Sequence, residues 1–344
     1  EIRHIVFDLG DSGMAYEAGD ALGVMPVNAP DLVAAWLKRL KVASDTDIGG
    51  VPLSELLTSD LEIMTPSREL IRGVELVAEN EELTAVVKSQ DKGLLEKYLW
   101  GKDSLDLLNL CPNISFDVAK LVSWLKPLQH RAYSISSSPK AHKNEVHLTV
   151  AAVRWDYENR SHKGVCSTFL ADNVPVGEQA GIFMSPNKSF RVPEDDTVPM
   201  IMVGPGTGVA PFRAFLEERR ERSASGTNWL FFGDQHRECD FIYEDEISTF
   251  SETGLLTRLD LAFSRDQADK VYVQHRLIEN GKDIYSQLEN GGHFFVCGDA
   301  TRMAKDVDKA LHTIIENHGK HDQDTAIEYV NRLKLEKRYV RDVY

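Results

Sequence analysis

No stretch of the 344 residues approaches the roughly 20 consecutive apolar residues that a bilayer-spanning helix needs. The opening Glu-Ile-Arg-His-Ile-Val-Phe is not a secretory signal. It lacks an initiator Met and reads as a strand already in progress, which suggests a piece of a longer chain. Cysteine is scarce. Cys111, Cys166, Cys239 and Cys297 lie dozens of residues apart with no C-x-x-C pair. That spacing excludes a disulfide framework and a zinc site, so no metal is expected, and it suits free thiols in a reducing cytoplasm. Positive charge is also short, with 39 Lys and Arg against 54 Asp and Glu and a net charge of -15. Nucleic acid is excluded as a partner, because phosphate neutralisation needs clustered cations. A basic protein surface suits this charge better, and a phosphorylated ligand would need a local basic pocket. What remains is ordinary for a soluble globular protein, 42% apolar and 27% charged. The length allows two domains, or one with an inserted subdomain.

The texture changes along the chain. Residues 1 to about 24 alternate like strands. From about 27 to 125 the pattern is helical. Asn28-Ala-Pro-Asp31 opens one helix, with Leu32, Val33, Trp36, Leu37 and Leu40 at helical spacing, and Asp91–Trp100 and Phe116–Leu125 read similarly. Strands resume at Ala132–Ile135, Glu145–Tyr157 and Gln179–Met184. A strand region interrupted and then resumed implies a discontinuous β-domain, 1–26 and 126–195, carrying a helical insert, 27–125. From 196 to 344, strands at Val198–Val203, Asn228–Gly233, Leu256–Phe263 and His293–Cys297 alternate with helices at Pro211–Arg222, Val273–Leu288 and Arg302–Asn317. That alternation predicts βαβ units and a parallel sheet, with ligands at the carboxyl ends of its strands.

Six segments could carry chemistry. Gly204-Pro-Gly-Thr-Gly-Val-Ala-Pro-Phe212 follows an apolar run and opens a helix. Its spacing is G-x-G-x-G and would suit a tight structural turn, but the strand-turn-helix context favours a phosphate loop. Arg131-Ala-Tyr-Ser-Ile-Ser136 offers a forked cation, a flat ring and a hydroxyl, and is otherwise a strand with polar alternation. Lys163-Gly-Val-Cys-Ser-Thr-Phe169 reads as a helix start, a second anion-binding terminus or a plain capped helix. Ser264, Arg265 and Lys270 cluster at a strand end, as a 2′-phosphate on adenine ribose would require, or else lie in a solvated loop. Cys297 in Cys297-Gly-Asp299 suits a core position. Arg338-Tyr-Val-Arg-Asp-Val-Tyr344 ends the chain as a docked or a fraying terminus.

The order of these segments is more specific than any one of them. R-x-Y-S, G-V-x-S/T, G-P-G-T-G-x-A-P-F-R, S-R-x(4)-K-V-Y-V-Q, C-G-D and a terminal D-V-aromatic occur in this order in the diflavin reductases. The whole chain resembles the FAD/NADPH half of that family. Asn228-Trp-Leu-Phe-Phe-Gly-Asp234, Ser264-Arg-Asp-Gln267 and the terminal Tyr344 resemble its sulfite reductase branch. The resemblance implies a ferredoxin-reductase-like fold of mixed α+β and α/β class. An antiparallel FAD-binding β-barrel with a helical connecting insert would be followed by a parallel-sheet NADPH-binding domain. It implies that Arg131 holds the FAD diphosphate, Ala132 and Tyr133 lie along the flavin, and Ser134 contacts its reactive nitrogen. Thr149, Val150 and Ala151 match a flavin-contacting strand, and Trp155 stands where relatives often stack a Tyr on adenine. Gly164, Val165, Cys166 and Ser167 would wrap the FAD phosphates. Thr207 would meet the NADPH diphosphate, and Ser264, Arg265 and Lys270 the 2′-phosphate. Val271, Tyr272, Val273, Gln274 and Asp306 complete that nucleotide site. Ser134, Cys297 and Asp342 match the trio around hydride transfer, and Tyr344 would cover the flavin as a gate.

The same resemblance implies NADPH as donor, an FMN-bearing flavodoxin-like domain as relay and the sulfite reductase hemoprotein subunit as partner. No segment here matches the FMN module, so this chain should accept hydride but lack the one-electron exit. Trp155 and Cys166 depart from the common pattern and leave details of flavin contact open. A reductase for another haem partner and a flavin-loaded scaffold for the hemoprotein are the competing readings. A plain ferredoxin reductase is disfavoured by the helical insert.

Overall fold

Five short strands form one parallel sheet in the computed structural model, which describes residues 1–344. They are β1 (Met200–Val203), β2 (Asn228–Asp234), β3 (Arg258–Phe263), β4 (His293–Gly298) and β5 (Tyr339–Val343). Their spatial order is β3-β2-β1-β4-β5, and every neighbouring pair is parallel. The chain therefore starts in the middle of the sheet and reverses direction between β1 and β4, the switch point where ligands bind. Both faces are covered, so the central strands β1, β2 and β4 are apolar on both sides. Ile201, Val203, Trp229, Phe231, Phe294 and Val296 point into one core, beneath helices that include Val273–Glu279, Gly281–Glu289, Met303–Gly319 and Gln323–Leu335. Met202, Leu230, Phe232, Phe295 and Cys297 point into the other, with Phe212, Phe215, Ile247 and Phe250.

This sheet belongs to the larger of two compact units, formed by residues 2–22, 133–150 and 183–344. The smaller unit comprises residue 1 with 23–132 and 151–182. Four strands carry the chain from one unit to the other: Ala21–Met25, Arg131–Ser134, Glu145–Ala151 and Gly181–Ser185. In the smaller unit, helices Pro30–Leu40, Arg68–Glu75, Glu81–Ser89, Lys92–Leu99, Ser104–Asn109 and Val118–Ser123 surround a core that includes Trp36, Leu57, Leu70, Leu83 and Leu107. Short polar residues start most of them. Ser67, Asn80, Asp91, Asp103 and Asp117 each accept a backbone N–H of the first turn, which satisfies donors the helix leaves unpaired. No helix is long and apolar enough to cross a membrane.

Three local expectations change. Val273–Leu288 is two helices, broken at Asn280, whose side-chain amide donates to Asp260 (3.0 Å) and to the Arg276 carbonyl (2.8 Å). Gly281 then packs so close to His318 that a Cβ would meet its ring at 2.8 Å. Glu145–Tyr157 is two strands, Glu145–Ala151 and Arg154–Tyr157, because the backbone between them bonds elsewhere. The Ala152 N–H goes to the Glu1 carbonyl (3.0 Å) and the Val153 N–H to Ser167 Oγ (3.2 Å). The C-terminal segment does not fray but pairs as edge strand β5. The helix before it, Gln323–Leu335, was not anticipated, although Asp322 caps it and Ala326, Tyr329, Val330 and Leu333 share one buried face.

Candidate functional site

A cavity of about 510 Å3 opens at the carboxyl ends of β1 to β4, within the larger unit. The Gly-rich turn after β1 forms one wall. Gly206–Val209 makes a single 3-10 turn, and helix Ala210–Glu221 follows with Pro211 in its first turn. Side chains are excluded here. A Cβ on Gly208 would lie 2.3 Å from the Cys297 carbonyl oxygen, and one on Gly204 2.5 Å from that of Gly208. The backbone is thereby held tight against β4, with φ of +56° at Gly206.

The loop after β3 supplies Ser264, Arg265 and Lys270 to the same cavity, with Tyr272, Val273 and Gln274 beyond them. Val271 packs inward against the core. The Ser264 and Arg265 N–H groups bond the carbonyls of Asp234 (2.8 Å) and Gln235 (2.9 Å), and Gln267 donates to the Phe263 carbonyl (2.6 Å), so the loop is braced. Asp306 lines the far wall and accepts from Gln274 (3.4 Å). Arg302 is a lining cation that sequence reasoning missed. Its signal was its place just after Cys297-Gly-Asp299, at the end of a parallel strand. Arg265, Lys270 and Arg302 make no ion pair with any acid of the chain. The acids of the cavity are otherwise engaged. Asp299 accepts the N–H groups of Thr301, Arg302 and Met303, which with the Thr301 hydroxyl hold its carboxyl far below the usual range. Asp234 accepts the Gln235 N–H, and burial raises its pKa. Unpaired cations, a glycine-lined turn and a helix start together could seat a phosphate-bearing dinucleotide.

Ser134, Cys297 and Asp342 are brought together, also within the larger unit. Parallel pairing of β4 with β5 sets Cys297 opposite Asp342. The Ser134 hydroxyl donates to Asp342 Oδ2 at 2.5 Å. Cys297 is fully buried, and burial pushes its thiol well above the ordinary range, with the Asp342 charge adding to the effect. The hydrogen bond to Ser134 acts the other way but does not offset it. The thiol therefore keeps its proton beside Ser134, whose hydroxyl donates to Asp342. Tyr344 closes the group. Its N–H bonds the Gly298 carbonyl (3.1 Å), its carbonyl accepts from Ala300 (3.0 Å) and its hydroxyl pairs with Thr207 (2.9 Å). The residue as a whole is nevertheless 64% exposed.

The remaining predicted residues divide between the units. In the smaller one Arg131 reaches Glu62 at 3.1 Å, so an anionic ligand would compete with that carboxylate. The Trp155 ring lies nearly parallel to His162, centroids 5.4 Å apart, and its N–H donates to the Gly101 carbonyl (2.9 Å). His162 is itself held by Asp106 (2.7 Å), and Arg160 bridges Asp103 and Asp106. Gly164 caps the short helix Val165–Thr168, where Ser167 turns back toward Val153 and the buried Cys166 thiol toward the Val24 carbonyl (3.8 Å). Ala132 and Ala151 are exposed. In the larger unit Val150 is buried, the Thr149 hydroxyl meets Tyr243 at 2.6 Å, and Tyr133 is half-buried.

Known proteins share this plan. Residues 1–169 match the family described as FAD binding domain, and residues 202–309 the oxidoreductase NAD-binding domain. Over its full length the chain is 43% identical to the sulfite reductase (NADPH) flavoprotein alpha-component of Vibrio cholerae serotype O1 and to that of Mannheimia succiniciproducens. It is 42% identical to the one from Yersinia enterocolitica. It spans only 56%, 58% and 57% of these relatives, respectively.

Proposed function

We propose, from the premise that this chain belongs to the FAD- and NAD-binding oxidoreductases represented by the sulfite reductase flavoprotein alpha-components, that it oxidises NADPH on behalf of a sulfite-reducing complex. Three unpaired cations beside a glycine-lined turn carry the reading. Arg265, Lys270 and Ser264 would grip the 2′-phosphate, with Arg302 as a further cation, and Thr207 the diphosphate. Tyr272, Gln274 and Asp306 would flank the adenosine. Arg131, Tyr133, Trp155 and the Gly164–Ser167 turn would hold FAD.

When bound, FAD supplies the ring that accepts hydride and gives up electrons singly. The chain's own contribution is orientation and charge. The Asp342 carboxylate, steadied by Ser134 and by the protonated Cys297, would stabilise positive charge developing on the nicotinamide. Tyr344 would shield the flavin until the nicotinamide displaces it. Electrons would leave through an FMN domain to the hemoprotein subunit. The four cysteines are all free thiols, which suits a reducing cytoplasm. The domain layout that goes with this reading is 1–26 with 126–195 for FAD, 27–125 as connecting insert and 196–344 for NADPH.

The test is the visible spectrum of the purified protein before and after anaerobic NADPH. Flavin bands that bleach with NADPH, and far less with NADH, are the expected outcome. A colourless protein that cannot be reconstituted with FAD would sink the reading.

A further inference from the structure

The strand that carries Asp342 is secured on one side only. β5 lies at the edge and is hydrogen-bonded to β4 alone. A slip of one residue would turn each of its side chains to the opposite face and take Asp342 away from Ser134. A contact outside the ladder opposes that slip. Tyr339, buried at the start of β5, sets its ring edge against Phe294 and donates its hydroxyl to Asp308 at 2.9 Å. The same carboxylate faces Lys334 at 3.5 Å, Arg341 at 3.8 Å and His312 at 3.6 Å. Lys334 and Arg341 pair with no other acid, and both lie over the Tyr339 ring, at 5.3 and 5.7 Å. Without the Asp308 charge those cations would confront each other across the ring.

Asp308 sits on helix Met303–Gly319, whose first turns line the dinucleotide cavity through Met303 and Asp306. One rigid helix therefore sets both the nucleotide seat and the strand bearing Asp342 and Tyr344. We propose that Asp308 is a positioning residue for hydride transfer, fixing the register of β5 and hence the placement of Asp342 against Ser134 and Cys297. This rests on the reading above that those three groups flank the reacting atoms.

Asp308→Asn keeps the shape and removes the charge, Tyr339→Phe removes only the phenol bond, and Asp308→Glu restores the charge. In the full chain with FAD, Asp308→Asn should slow NADPH bleaching about tenfold at an unchanged half-saturating NADPH concentration, as small misplacements do. The isotope effect with NADPH deuterated at the transferred position should rise, and residues 340–344 should exchange amide hydrogens faster. Tyr339→Phe should show the same changes in weaker form, and Asp308→Glu should reverse most of them. Parental rates, isotope effect and exchange in Asp308→Asn and Tyr339→Phe would overturn the proposal. So would a loss of bound FAD and thermal stability with an unchanged isotope effect. If the parent chain is not bleached by NADPH at all, the functional reading fails, and amide exchange alone still decides whether Asp308 holds the strand.

Discussion

At the scale of the residue, the cluster around Cys297 and the cluster around Arg265 predict different losses. Cys297→Ala removes a buried thiol beside Ser134 without touching the cavity at the strand ends. Flavin reduction should fall by roughly tenfold or more while FAD stays bound, as loss of one preorganised polar group does. Stopped-flow bleaching checks this, and an unchanged rate removes Cys297 from the mechanism. Arg265→Ala should weaken NADPH by about 10- to 100-fold, the value of a charge-assisted bond, and NADH hardly at all. Equal losses for both would move the 2′-phosphate elsewhere. Cys297 also shows where sequence reading stops. Its place after Phe-Phe-Val marks it as a core residue, and it is one, fully buried. That the core position also touches Ser134, 163 positions earlier, follows only from strand pairing, since no local pattern encodes a contact between distant segments. Arg302 went unread for the same reason. Its place after Cys297-Gly-Asp299 hints at a strand end, but only the fold sets it in the same cavity as Lys270.

At the scale of the element, periodicity located β1, β2 and β4 because they are apolar on both faces, and glycine located the turn after β1. The break at Asn280 was hidden because apolar spacing continues through Val273, Leu277, Ile284 and Leu288 on either side of it. β5 was half-hidden as well. Its Arg341 and Asp342 belong to an edge, where one flank meets solvent. Tyr344 ends this element, its backbone bonded to Gly298 and Ala300 and its hydroxyl to Thr207. Removing Tyr344 should raise the use of NADH relative to NADPH, because a nicotinamide then displaces nothing to reach its place. The ratio of half-saturating concentrations for the two nucleotides measures this, and an unaltered preference counts against a gate.

At the scale of the whole molecule, mild acid should destabilise the fold. Burial pushes His4 and His293 down to about 4 and lowers His147 too, all in the larger unit. In the unfolded chain these imidazoles titrate near 6.5. Between about 6.5 and 4 the unfolded state binds protons that the folded state refuses, so stability is lost as pH falls through that window and the loss levels off below it. Thermal midpoints from pH 7 to 4 should trace this decline, and His293→Asn should flatten part of it. An identical slope in that variant would remove His293 from the account.

The larger unit is assembled from three separated pieces of chain, and this has a consequence for how it folds. Residues 200–343 hold the whole five-stranded sheet in one continuous segment. Ile2–Asp8, by contrast, pairs with Glu145–Ala151 across the entire helical insert. Closing so long a loop costs entropy before any contact repays it. The sheet should therefore form early in refolding, the capped helices of the insert should gather independently, and the first strand should join late. Until it does, the unit would hold its nucleotide cavity intact while His4 still searches for Tyr243.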